Sequence, residues 1–129
     1  MANSKVLVDT SVIIDYFRAK DKKKTPFYSL ASSHDLFVSA VTEYELYVGA
    51  KTKESIAFID GVLAYMDVLS LDSAVAKVAA HVYQTLKRQN EIISVNDIFI
   101  GATAIHYELT LSTLNQKHFN RIKKISLLK

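Results

Sequence analysis

The sequence predicts an α/β fold, a three-layer α/β/α sandwich around a central, mostly parallel sheet of four to five strands. Three observations carry that expectation. Short apolar, β-branched runs alternate with longer stretches of helical periodicity, as strands joined by helical crossovers do. Half of the 129 residues are apolar and 22% are charged, so a sizeable core can form. Three glycines and one proline leave few breaks, and neither repeat nor linker divides the chain. One domain over residues 1–129 is expected.

The elements follow in order. Lys5-Val-Leu-Val-Asp9 reads as a short buried strand that ends abruptly on a carboxylate. Residues 11–20 read as a helix, with Val12, Ile13, Tyr16 and Phe17 as its apolar stripe. Pro26 suits the first position of a second helix after Thr25. Leu36-Phe-Val38 is a second strand, and Ser39 caps a helix over residues 40–51. A helix over 54–65 precedes a short strand near Val68-Leu69. Asp72 caps a helix to about residue 89, in which Val75, Val78, Ala79, Val82 and Leu86 recur at helical spacing. Ser94-Val-Asn-Asp97 has the form of a capping box opening a helix to about residue 108. Residues 111–113 and 125–128 are candidate strands around a short helix near Lys117.

Composition narrows the function classes. The absence of cysteine excludes disulfides and cysteine-based zinc sites and suits a reducing compartment. No stretch approaches the roughly 18 apolar residues of a membrane span, and Met1 to Lys5 leads into the first strand without a signal-peptide core. A soluble, cytoplasmic protein is expected. Net charge is +3, and its distribution says more than its size. Arg18, Lys20, Lys22, Lys23 and Lys24 form a run broken by Asp21 alone among charged residues. From Ile98 onward the single acid is Glu108, against Lys117, Arg121, Lys123, Lys124 and Lys129. Two such segments can form a positive rim for phosphates, with solvated lysine-rich loops as the plainer reading. Arg18, Lys22, Lys23, Lys24, Lys117 and Lys123 are the candidate nucleic-acid contacts.

Three carboxylates are candidates for chemistry. In open α/β sheets ligands bind beyond the carboxyl ends of the strands, where strand order reverses, and Asp9 stands there if its strand is central. A plain helix N-cap is an equally good reading of Asp9. Asp97 opens a helix apolar nearly all round, so its charge needs compensation, from the capping box and helix dipole or from a divalent cation. On a helix Glu45 shares a face with Thr42 and Gly49, and the small residue leaves room for something to approach the carboxylate. Glu45 taken alone also reads as a surface residue, and Glu43 as a solvated one. His34, His81, His106 and His118 lie on different elements, without the i, i+4 spacing of a helical metal site.

The order of these segments resembles the PIN-domain family, and within it the VapC-type toxins of prokaryotic toxin–antitoxin pairs. The matching text is Leu7-Val-Asp-Thr-Ser-Val-Ile-Ile-Asp15, Ser39-Ala-Val-Thr-Glu-Tyr-Glu-Leu-Tyr-Val-Gly49, Asn96-Asp-Ile-Phe-Ile-Gly-Ala-Thr-Ala-Ile105 and Leu111-Ser-Thr-Leu-Asn-Gln-Lys-His-Phe119. The resemblance runs essentially end to end. It implies a metal-dependent ribonuclease in which Asp9, Glu45 and Asp97 are the catalytic acids and the ligands of Mg²⁺ or Mn²⁺. The family's fourth acidic position is here Asn115, an amide that brings no charge and bears on whether a second ion binds. Thr10, Ser11 and Thr113 flank the acids and are auxiliary candidates for orienting waters or phosphate oxygens, or else caps and turn residues.

The implied chemistry is hydrolysis of a phosphodiester by water, leaving a 5′-phosphate and a 3′-hydroxyl without use of the RNA 2′-hydroxyl. The implied partners are an RNA substrate, a second copy in a homodimer, and a cognate VapB-like antitoxin, with no membrane. The apolar helices around Phe27-Tyr28 and over 54–65 are candidates for the antitoxin groove. A non-catalytic PIN-like module that binds nucleic acid or protein is the main alternative, against which the presence of all three acids argues. A phosphatase on a doubly wound sheet lacks its usual Asp-x-Asp here, since Thr10 and Ser11 follow Asp9. A receiver-like signalling domain lacks paired acids ahead of the first strand's aspartate.

Overall fold

The computed structural model describes residues 4–129; Met1 to Asn3, the start of the segment expected to lead into the first strand, lie outside the described residues. Four strands form one sheet: β1 (Ser4–Val8), β2 (His34–Ser39), β3 (Asp67–Leu69) and β4 (Thr110–Ser112). Every pairing is parallel, in the order β3-β2-β1-β4. The register sets Leu7 of β1 between Phe37 of β2 and Leu111 of β4. The expected fifth strand over 125–128 shrinks to one parallel bridge between Leu111 and Leu127. Leu111 N donates to Ser126 O at 2.8 Å and Leu128 N to Leu111 O at 2.8 Å, so the carboxyl-terminal segment covers the β4 edge without extending the ladder.

Pleating divides the core into two layers. Leu7 and Leu111 point to the side covered by α5 (Ser73–Arg88) and α6 (Val95–His106), among Val75, Leu86, Ile100 and Phe119. Val6, Val8, Leu36 and Val38 point to the other side, covered by α1 (Thr10–Arg18), α2 (Pro26–Ser33) and α4 (Lys53–Leu63). Helix α3 (Ala40–Gly49) gives Val41 to the first layer and Leu46 to the second. A short α7 (Gln116–Phe119) closes the β4 side. The three-layer sandwich is therefore the one the sequence pattern predicts.

The capping residues act as their chemistry predicts. Side chains of Thr25, Ser39, Thr52, Asp72 and Ser94 accept from the backbone N–H three residues on, starting α2 to α6 in turn. Helix ends differ from expectation by one or two residues in α1, α3, α4 and α6. Helix α1 begins at Thr10 and ends at Arg18, because Ala19 is extended and Lys22 seals the last turn. Among the described residues no helix is long and apolar enough to cross a membrane.

Candidate active site

The chain runs from β1 outward through β2 to β3, then crosses back to place β4 on the far side of β1. Strand order therefore reverses between β1 and β4, and the crevice beyond their carboxyl ends is the ligand position of such a sheet. Asp9 is the first residue past β1, and its N–H donates to Ser112 O at 2.9 Å. It occupies the N-cap position of α1 with extended backbone, yet its side chain caps nothing. Instead its Oδ2 accepts from Ser11 Oγ at 2.6 Å and Thr113 Oγ1 at 2.7 Å. Only 2% of Asp9 is exposed. Both hydroxyls also accept from the loop after β4, Ser11 Oγ from Leu114 N at 3.1 Å and Thr113 Oγ1 from Asn115 N at 2.9 Å. One buried carboxylate thus ties three chain segments together.

Glu45 sits in the middle of α3, half-buried. Its Oε1 accepts from Thr10 Oγ1 at 2.7 Å and its Oε2 from Asn96 Nδ2 at 3.3 Å. The Thr10 and Thr42 hydroxyls lie 3.0 Å apart, and Ser39 Oγ lies 3.4 Å from Thr42 Oγ1. A chain of buried hydroxyls therefore runs from the cap of α3 to its carboxylate. Glu43, expected to be merely solvated, is also half-buried.

Asp97 is in the first turn of α6, where its N–H donates to Ser94 Oγ at 3.2 Å. Burial is the first cause that raises its carboxyl above the ordinary value of 3.8, and the negative charge of Asp9 is the second. A hydrogen bond with Ser94 opposes them, Glu45 raises it further, and His118 lowers it. His118 Nδ1 stands 3.7 Å from Asp97 Oδ2. The three sequence-selected acids, from three separate elements, thus share one electrostatic environment. Among the described residues no three His, Cys, Asp or Glu side chains form a metal-holding cluster. The hydroxyl and amide donors on Asp9 and Glu45 are the physical counterpart: each carboxylate is turned toward its own partners.

The auxiliary candidates divide. Thr10 donates to Glu45, and Ser11 and Thr113 donate to Asp9, so all three auxiliary hydroxyls bond directly to candidate acids. Asn115 is exposed at the N-cap position of α7, and its side chain makes no capping bond. The basic candidates are more scattered. Lys22 Nζ donates to the carbonyls of Tyr16, Phe17 and Ala19 at 3.1, 2.9 and 3.1 Å. It also lies 5.5 and 5.3 Å from the ring centroids of Tyr16 and Phe58. That ammonium is a C-terminal cap of α1, which places it in the fold instead of a free basic rim. Lys24 pairs with Asp21 at 3.9 Å, and Lys23 and Lys117 are exposed. Arg18 borders a pocket beside Glu45, whereas Lys123 borders a separate one with Arg121, Lys124 and His81. Sequence reasoning missed Asn96 and gave His118 no role. Asn96 had one signal, its place beside Asp97, and His118 had another, its place in the 111–119 segment that carries the resemblance.

A PIN-domain family model matches residues 6–125. "Ribonuclease VapC1" of Methanocaldococcus jannaschii is 31% identical over 124 residues, covering 96% of this chain and 85% of that protein. "Ribonuclease VapC" of Rickettsia bellii is 29% identical over 130 residues, covering 95% and 94%. Among solved structures, VapBC-1 from nontypeable Haemophilus influenzae matches with a TM-score of 0.84 and 26% identity, covering 97% of each chain. VapBC2 from Rickettsia felis, bound to a promoter DNA fragment, matches with a TM-score of 0.84 and 22% identity, covering 96% and 97%. On the span of that family model and the identity to the VapC relatives, this chain belongs to the PIN-domain family, in its VapC-type branch.

Proposed function

We propose that this chain is a metal-dependent ribonuclease, the toxin of a VapBC-type pair, with Asp9, Glu45 and Asp97 as its catalytic acids and ligands for Mg²⁺ or Mn²⁺. The observation that carries the reading is the position of Asp97, half-buried in the first turn of α6, where the charges of Asp9 and Glu45 both reach its carboxyl and raise it. A partly desolvated carboxylate facing two others is a site that a hard divalent cation relieves. All-oxygen donors suit Mg²⁺ or Mn²⁺, and Mg²⁺ retains waters, so a few carboxylates without a closed cage suffice. Bound there, such an ion supplies polarisation of the scissile phosphate and acidifies water for in-line attack.

The chain's own residues position the acids. Ser11 and Thr113 fix one oxygen of Asp9, Thr10 and Asn96 fix both oxygens of Glu45, and Ser94 anchors the turn that bears Asp97. The named activities of the VapC relatives support RNA as substrate. An antitoxin partner is supported by the VapBC complexes among the similar structures. Its seat is the apolar groove of about 440 Å³ among α1, α2 and α4, bordered by Tyr16, Phe27, Tyr28, Phe58 and Tyr65. A homodimer through α5 and α6 is supported by an apolar hollow of about 390 Å³ bordered by Ala76, Ala80, Tyr83, Ile92, Val95 and Phe99. The chain acts as one domain in the cytoplasm on this reading.

The test incubates purified protein with structured RNA in Mg²⁺, Mn²⁺ or EDTA beside Asp97→Asn, with thermal melts under the same conditions. Cleavage that needs metal and is lost in Asp97→Asn is expected. Absence of both cleavage and any metal-induced rise in melting temperature would sink the enzymatic reading in favour of a binding module.

A further inference from the structure

A pocket of about 110 Å³ opens beside Glu45, between α1, α3 and α4. Glu45 forms part of its wall, so the pocket adjoins one of the three candidate acids. Its other borders include Phe17, Arg18, Gly49, Ser55 and Ile59. Phe17 is 39% exposed, and its ring meets that of Phe58 edge-on, with centroids 5.0 Å apart. Arg18 is an exposed cation in the last turn of α1.

Gly49 makes the pocket informative. It ends α3 without a positive φ, so backbone geometry does not demand a glycine there. A Cβ built on it meets nothing within 4 Å, so close packing does not demand one either. Gly101 is the contrast, since a Cβ there would come within 2.7 Å of the Ile122 side chain. Glycine is the poorest helix former after proline, yet at Gly49 its missing side chain serves to leave open space one turn beyond Glu45.

We propose that this pocket receives one unstacked nucleobase of the RNA, from a nucleotide adjacent to the phosphate addressed by the carboxylates. The inference rests on the ribonuclease reading. Sequence-selective proteins read RNA mainly in single strands, splaying a base onto an aromatic or guanidinium surface and bonding its polar edge. Phe17 supplies the aromatic surface, Arg18 the cation that complements the anionic strand, and the Ser55 hydroxyl a group for a base edge. A base seated there places its own phosphate next to Glu45.

The experiment digests a randomised single-stranded RNA library with the full chain in Mn²⁺ and sequences the ends, for the parent, Phe17→Ala and Gly49→Leu. Gly49→Leu grows into open space, so it keeps the fold while filling the pocket. The expected result is a base preference beside the cut that falls about tenfold in both variants, while the Mn²⁺-induced rise in melting temperature stays at the parent's value. An unchanged profile in both variants, with cleavage intact, removes the pocket from the RNA path and leaves the ribonuclease reading standing. No RNA cleavage by the parent overturns the ribonuclease reading and this proposal together.

Discussion

Thr10 Oγ1 lies 2.7 Å from Glu45 Oε1, joining the first residue of α1 to the middle of α3 across 35 residues of sequence. The same hydroxyl is 3.0 Å from Thr42 Oγ1, which is fully buried. A carboxylate on a long flexible side chain is thereby held in one orientation by rigid backbone elements on both sides.

Removal of that hydroxyl in Thr10→Val leaves Glu45 Oε1 without its donor at nearly constant volume. Cleavage is expected to fall roughly ten- to a hundredfold, with a stability loss of about 1 kcal/mol. Thr10→Ser should restore most of the rate. Single-turnover kinetics and denaturant melts check this; equal rates in Thr10→Val and the parent would show that Glu45 does not need the clamp.

Asp97→Asn separates stability from function. The carboxyl is held at a raised pKa by burial and by Asp9 and Glu45, so its charged form is disfavoured in the metal-free fold. The amide keeps the backbone bond to Ser94 and relieves the repulsion. The metal-free variant should melt about 1 to 3 °C above the parent while losing the metal-induced shift. A lower melting temperature in EDTA would mean the carboxylate stabilises the fold, against its raised pKa.

The same shift fixes the sign of a pH dependence. A carboxyl raised in the folded state binds its proton more tightly folded than unfolded, so its contribution is fully present below the ordinary value of 3.8 and is lost as pH rises through the raised value. Metal affinity runs the other way, weakening as pH falls through the raised value because the ion competes with the proton. Melts with EDTA and with Mn²⁺ between about pH 4 and 8 should converge toward the acid end. Asp97→Asn should flatten this dependence, and parallel curves for both proteins would place the coupling elsewhere.

Lys22 is expected to behave as a structural residue. Lys22→Met keeps the apolar stem and removes three carbonyl bonds at the α1 terminus, at a cost of about 1 to 2 kcal/mol. RNA binding by the folded variant should keep the parent's salt dependence. Lys23→Glu and Lys24→Glu, at exposed positions, should flatten it if that turn meets the phosphate backbone. Anisotropy titrations over a salt series read both, and a flattened slope in Lys22→Met would return that ammonium to the RNA surface.

The sequence by itself determined the layers of this protein and nominated its three candidate acids. Short apolar runs, helical periodicity, the caps at Thr25, Ser39, Asp72 and Ser94 and an apolar α6 are local signals, and local chemistry suffices to place them. Asp9, Glu45 and Asp97 are selected by their order and surroundings along the chain, since each taken alone also reads as a cap or a surface residue. Tertiary structure decided the partners. Residues 125–128 are as apolar as a strand, yet they meet β4 at one bridge because the edge offers Leu111 alone as a partner. Lys22 reads as one of five basic residues in the run from Arg18 to Lys24 but is drawn onto α1 by carbonyls that only the folded turn presents. Thr10, Asn96 and His118 come to the acids from positions 35, 51 and 21 residues away along the chain, a proximity set by the crossing of β4 past β1 and by the packing of α3 against α6. Hydrogen bonds are short-ranged and directional, so which donor meets which carboxylate is fixed when the layers close.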